Sequence, residues 1–276
     1  MKTFKKLITV ATIFLFLGIM LFAQEDIREE MTIPLSNPGQ AGKLKCDLVH
    51  GSITITGYSG NEAQLIAIQP LKKITVENVT EDPDKAGMKK ITSSSFNISA
   101  EENGNIVEIN SKSWNSTINL EIKVPAKFDL EISTVNDGDI IVENVEGNLE
   151  VTNVNESVTL TNVSGSVVTN TVNGLVKVTM NRINEGTPMS FASFNGNVDV
   201  TLPASVKATT KMNTTSGDIY TDFDVDFEQK RTKVDNSADE GVYKVSVDEF
   251  VSGKLNGGGP EFVFKTFSGD IYLRKK

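Results

Sequence analysis

The chain has 276 residues, with 27 basic against 36 acidic side chains, a formal charge of −9 at pH 7, one cysteine and one histidine. That acidity excludes the clustered Lys and Arg that a nucleic-acid partner requires, and it argues against adsorption to anionic lipid. Cys46 alone permits no intramolecular disulfide, and Cys46 with His50 falls short of a zinc ligand set, so neither metal nor cofactor is expected.

Lys2, Lys5 and Lys6, the uncharged run from Leu7 to Phe22 and the small residue Ala23 read as a secretory signal peptide over residues 1–23. Its removal takes away three lysines and no acid, so −9 becomes −12 for the mature chain. No cysteine stands at the junction, which argues against a lipoprotein. No second apolar run of that length follows, so membrane insertion after cleavage is not expected. The destination is the periplasm or the cell surface.

Residues 24–42 are acidic and then turn-rich, and read as a flexible lead-in. Residues 43–276 read as a single β-repeat domain, irregular over 43–124 and regular over 125–276. In the irregular half, residues 44–55, 62–71, 91–99, 105–111 and 118–124 alternate apolar and polar like strands. Residues 81–90 (EDPDKAGMKK) read as a loop. Cys46 and His50 share a strand face, but nothing suggests an oxyanion hole or a third catalytic member. A buried thiol and a strand-edge imidazole are expected there.

In the regular half, Gly138, Gly147, Gly165 and Gly174 keep a register of nine, and Glu156 fills the vacant slot. Apolar residues follow two and four places after the slots, as Ile140 and Val142, Leu149 and Val151, Val158 and Leu160, and Val176 and Val178, with Val167 and Thr169 after Gly165. Val145, Val154, Val163 and Val172 stand two places before. Period two means strands with one buried face, and the glycines mark bends or close backbone approach. Gly51, Gly196, Gly217 and Gly269 head further copies of the unit. Asn155, Asn173 and Asn195 precede the slot on alternate units, with Asn136 one place further back, before Asp137. This suggests two strands per coil and a ladder of stacked Asn side chains. The fold class is therefore all-β: a β-solenoid or parallel β-roll, with an antiparallel β-sandwich as the alternative.

The elements Val124-Pro125-Ala126 and Leu202-Pro203-Ala204 interrupt the repeats, and each reads as a crossing into the next stretch. Residues 224–241 form a charged excursion. In the DFDVDFE stretch, Asp222, Asp224 and Asp226 read as solvated charge rather than a calcium site, with Phe223, Val225 and Phe227 facing inward. Arg274, Lys275 and Lys276 are placed to protect an open edge of the stack.

The segments VPAKFDLEISTVNDGDIIVENVEGNLEVTNVN (124–155) and KLNGGGPEFVFKTFSGDIYLRK (254–275) resemble the bacterial putative adhesin family of β-strand repeats, an exported domain of unknown function. The resemblance implies a right-handed or roll-like solenoid, an exported or surface location, and no catalytic residues.

The chain thus reads as a non-enzymatic, adhesin-like binding scaffold of the cell envelope, with an envelope protein or a glycan as partner. Tyr220 and Tyr272, in matching outward positions, are the candidate contact aromatics. A structural envelope protein that self-associates through the solenoid ends is the alternative. A polysaccharide-acting β-helix enzyme is the inferior reading, its carboxylates coming from Asp137, Asp139, Asp199, Asp218 and Asp270.

Overall fold

The computed structural model describes residues 26–70, 76–78, 89–91, 98–111, 116–227 and 250–276. The segment read as a signal peptide lies outside the described residues, as does most of the excursion after residue 227 and of the loop at 81–90.

The first half forms β1 (Ile27–Pro34), β2 (Gly42–His50), β3 (Ile53–Tyr58), β4 (Glu62–Gln69), a short pair β5 (Val76–Asn78) and β6 (Lys89–Ile91), β7 (Ile98–Asn103), β8 (Ile106–Ser111) and β9 (Asn119–Pro125). The second half forms β10 (Phe128–Asn136), β11 (Ile140–Glu143), β12 (Glu146–Asn153), β13 (Val158–Asn173), β14 (Val176–Ile183), β15 (Met189–Asn195), β16 (Val198–Leu202), β17 (Ala208–Ser216), β18 (Ile219–Thr221), β19 (Val225–Phe227), β20 (Val251–Leu255), β21 (Glu261–Ser268) and β22 (Ile271–Lys275).

Two strands make one coil, and the coils stack as two parallel ladders. One ladder runs β8, β2, β10, β12, the second half of β13, β15, β21, β17. The other runs β9, β3, β11, the first half of β13, β14, β16, β22, β18. The pairings within both ladders are parallel, which excludes the antiparallel sandwich. The repeat is read directly from register: Val158 lies on Val176, 18 residues on, and Val176 on Val198, 22 residues on.

Inside the second ladder, Leu120, Ile53, Ile140, Val158, Val176, Val198, Ile271 and Ile219 stack in one column. All but Ile219 are sealed from water. Each β-branched side chain suits the pleated surface, and each coil buries its apolar face only against its neighbours. Phe191 and Phe264, also fully buried, stack at 5.2 Å in the first ladder.

Spatial order departs from chain order twice, and both departures begin at a Pro-Ala element. After Pro125 the chain passes from β9 to β10 across a gap one coil wide, filled by β2 and β3. After Leu202 it passes from β16 to β17 across a second gap, filled by β21 and β22. Proline has no N–H to continue a ladder, so the strand must end where it stands. The C-terminal Arg274-Lys275-Lys276 therefore guards no edge: β22 is interior, paired on both sides. Antiparallel strands cover the ends of the stack instead. At one end these are β4 on β9, β1 on β4 and β7 on β8; at the other, β20 on β17. Residues 27–34 are thus strand rather than flexible lead-in, with Ile33 buried against the core.

The four valines two places before a slot divide into two pairs. Val145 and Val163 are buried, whereas Val154 is only half-buried and Val172 is exposed. The inward place at the second corner is taken by Asn153 and Thr171, three residues before the slot, and alternation then turns Val154 and Val172 outward.

Those inward polar residues form a series. Thr134, Asn153, Thr171, Ser193, Thr266 and Thr214 donate, in that order, to the carbonyls of Gly51, Gly138, Glu156, Gly174, Gly196 and Gly269, at 2.8–3.1 Å. Each staples its corner to the neighbouring coil and satisfies a carbonyl the bend would otherwise leave unpaired.

Candidate functional site

The slot residues come together as a column along one corner: Gly51, Gly138, Glu156, Gly174, Gly196, Gly269, Gly217. A Cβ on Gly196 would lie 2.0 Å from the Gly174 carbonyl oxygen, and one on Gly269 would lie 2.3 Å from that of Gly196. Close approach, rather than a left-handed backbone, is the requirement at Gly138, Gly174 and Gly196. Gly51 also adopts a φ of 130°. Gly147 and Gly165 stack on each other at the opposite corner.

Just before the slots the asparagines form the expected ladder. Asn155 Nδ2 donates to Asn136 Oδ1 at 2.6 Å, Asn173 to Asn155 at 3.0 Å and Asn195 to Asn173 at 2.9 Å. His50 lies in register with Asn136, and its Nδ1 is 2.8 Å from Asp137 Oδ2. Cys46 points into the core, where desolvation, then the charge of Asp47, pushes its thiol up to about 12. Cys46 and His50 therefore form no nucleophile–base pair: the thiol is sealed, and the imidazole is engaged at the corner.

The carboxylates are also engaged. Asp139 accepts from the Ser157 N–H at 2.9 Å, Asp199 from Arg274 Nε at 2.7 Å, and Asp270 from the Asp218 N–H at 2.9 Å. Tyr220 and Tyr272 stack at 5.1 Å with an 11° tilt. Their hydroxyls donate to Asp218 at 3.3 Å and Asp270 at 2.9 Å. The Asp218 charge raises Tyr220, and the hydrogen bond to Asp270 raises Tyr272. The Arg274 guanidinium lies 5.0 Å from the Tyr272 ring centroid.

Asp222, Asp224 and Asp226 do not share one strand, because β18 ends at Thr221 and β19 begins at Val225. Phe223 is buried as expected, but Phe227 is exposed. Asp222 accepts the Lys275 N–H at 2.6 Å, and no group of three or more metal-ligating side chains occurs among the described residues.

The surface also carries an apolar column. Val49, Val135, Val154, Val172, Phe194 and Phe267 stand in one outward column across six consecutive coils. All except Val154 are 37–50% exposed. Phe194 and Phe267 stack at 4.8 Å with a 3° tilt. Their exposure was concealed by the strand periodicity, which looks the same for a buried and an outward row until the corner residues are placed.

The pattern of the Toastrack DUF4097 family matches residues 24–253. The chain belongs to the Toastrack family. No curated protein matches it. Among solved structures, this Toastrack chain is similar to a putative cell adhesion protein from Clostridium sporogenes, at 15% identity and a TM-score of 0.47, covering 91% of this chain and all of the other. It is also similar to a putative adhesin from Bacteroides fragilis, at 10% identity and TM-score 0.34, covering 92% and 98%. A putative adhesin from Parabacteroides merdae overlaps at 7% identity and TM-score 0.29, covering 92% and 97%.

Proposed function

We propose that this Toastrack chain is a non-catalytic, adhesin-like binding scaffold exported to the bacterial cell envelope, at the periplasm or the cell surface, where it recognises an envelope protein or a glycan. The observation that carries this reading is how the outer side chains are used. They hold neighbouring coils in register along the stack, amide to amide in Asn136–Asn155–Asn173–Asn195 and by the Asp270 carboxylate on the Asp218 N–H, and so form long, repeating faces. Catalysis needs groups converging on a reacting atom. A concavity of about 690 Å³ is lined by residues that include Asn181, Arg182, Pro203 and Lys207, and its Arg182 is held by Glu146 at 2.6 Å. The basic and apolar start of the sequence supports export.

The test has two parts. Protease shaving of intact cells should release fragments of the chain if it reaches the surface. Purified protein should bind isolated envelope polysaccharide or envelope protein saturably and leave it uncleaved. Release of new sugar ends that is lost in Asp199→Ala would replace the scaffold by an enzyme.

A further inference from the structure

The apolar column lies on the outer face of the first ladder, beside charged residues whose arrangement repeats in reverse. Two places back from the column, the in-register row reads Asp47, Ser133, Thr152, Asn170, Ala192, Lys265. Lys43 and Glu261 lie four residues further back, on the same two coils as Asp47 and Lys265. On the outermost coils of the ladder, Glu108 is in register with Lys45, and Lys211 with Val263. A two-fold axis along the strand direction, midway between the Val154 and Val172 coils, reverses coil order and keeps each row facing itself. It sets Asp47 opposite Lys265 of a second copy, and it sets the ion-paired Lys43 opposite Glu261 and Glu108 opposite Lys211, groups that within one chain pair as Lys43–Glu131, Lys45–Glu108 and Lys211–Glu261. Glu131 and Glu150 then meet Ser190 and Val168, so no like charges are directly opposed. In the apolar column it sets Val49 opposite Phe267 and Val135 opposite Phe194, small against large.

We infer that this face binds a second copy of the chain, coil order reversed, in a two-fold dimer closed along the Val49-to-Phe267 column. Eight strands at about 4.8 Å spacing and eight residues at about 3.3 Å rise give a face of roughly 800 Å². That is about what each partner contributes to a stable interface. An isologous contact must be self-complementary, and this row of charges is. Stacking on the aromatic faces by a sugar ring fits less well: Phe194 and Phe267 each already cover one face of the other.

Sedimentation of the purified protein over a concentration series tests the inference, with circular dichroism confirming that each variant keeps its strands. The wild type should pass from monomer to dimer. Val172→Lys, at the centre, should abolish the dimer. Asp47→Lys and Lys265→Asp should each raise its Kd about ten-fold, about one 1.4 kcal/mol step, and the double reversal should restore it. A monomer up to several hundred micromolar would overturn the inference. So would a dimer indifferent to Val172→Lys, or a double reversal no better than the singles. The readout is mass, so this result is independent of whether the chain binds an envelope partner.

Discussion

Asn173 donates from Nδ2 to Asn155 Oδ1 at 3.0 Å and accepts at its own Oδ1 from Asn195 at 2.9 Å, so one side chain ties three coils together. An amide has both donor and acceptor, and a parallel stack presents identical residues at one spacing. Only a residue that is its own complement can continue the series.

Asn173→Ala removes two of these bonds at an exposed corner. At about 0.5–1.5 kcal/mol net per bond, urea unfolding should show a loss of about 1–3 kcal/mol. Asn136→Ala, at the end of the amide series, should cost about half as much.

Thr171→Val tests the buried staples. It leaves the Glu156 carbonyl, now accepting from Thr171 at 2.8 Å, without that donor at a part-buried corner. The cost should be about 1–3 kcal/mol. Thr161→Val, on an outward strand position, should be nearly neutral. Equal effects for the two would refute a special role for the staples.

These two series show what the sequence makes legible. The asparagines announce themselves, because the same residue recurs in one phase. The staples do not, because Thr, Ser and Asn alternate in the role and any small donor suffices. The two-strand coil was legible from the period, and the closely packed slot corner from its glycines. The inward or outward sense of Val145 against Val154 was not, because both lie two places before a slot and only the neighbouring corner residue separates them. The displaced terminal coils were hidden as well, since a local pattern carries no record of which coil lies next in space.

Gly196→Ala should destabilise the stack by about 1–3 kcal/mol, since its Cβ would meet the Gly174 carbonyl oxygen at 2.0 Å. The slot already occupied by Glu156 tolerates a side chain, so Glu156→Ala should leave the melting temperature nearly unchanged.

Cys46 should resist a thiol reagent at pH 8 in the folded protein and react fully in denaturant, because burial holds the thiol near 12. Fast labelling under native conditions would contradict the packing of β2.

Acid should act through Glu102 and Glu131. Glu102 is lowered by the Ser36 and Asn105 N–H groups it accepts, and Glu131 by its hydrogen bond to Lys43. A carboxylate lowered in the folded state adds stability above its unfolded pKa, and that stability is lost as pH falls through the folded value. Stability should therefore decline on acidification below the ordinary Glu range, with a smaller decline in Glu102→Gln. Lys43 is raised by the same pair, so its contribution persists until pH climbs through its own folded value.

The coil order itself can be measured by oxidative cross-linking of paired cysteines in a Cys46→Ala background. Asn195 registers with Ser268, and Ser268 with Ser216, which places β21 between β15 and β17. Cysteines at 195 and 268, and at 268 and 216, should form disulfides, whereas 195 with 216 should not. Ready cross-linking of 195 to 216, with 268 left free, would contradict the stack described above.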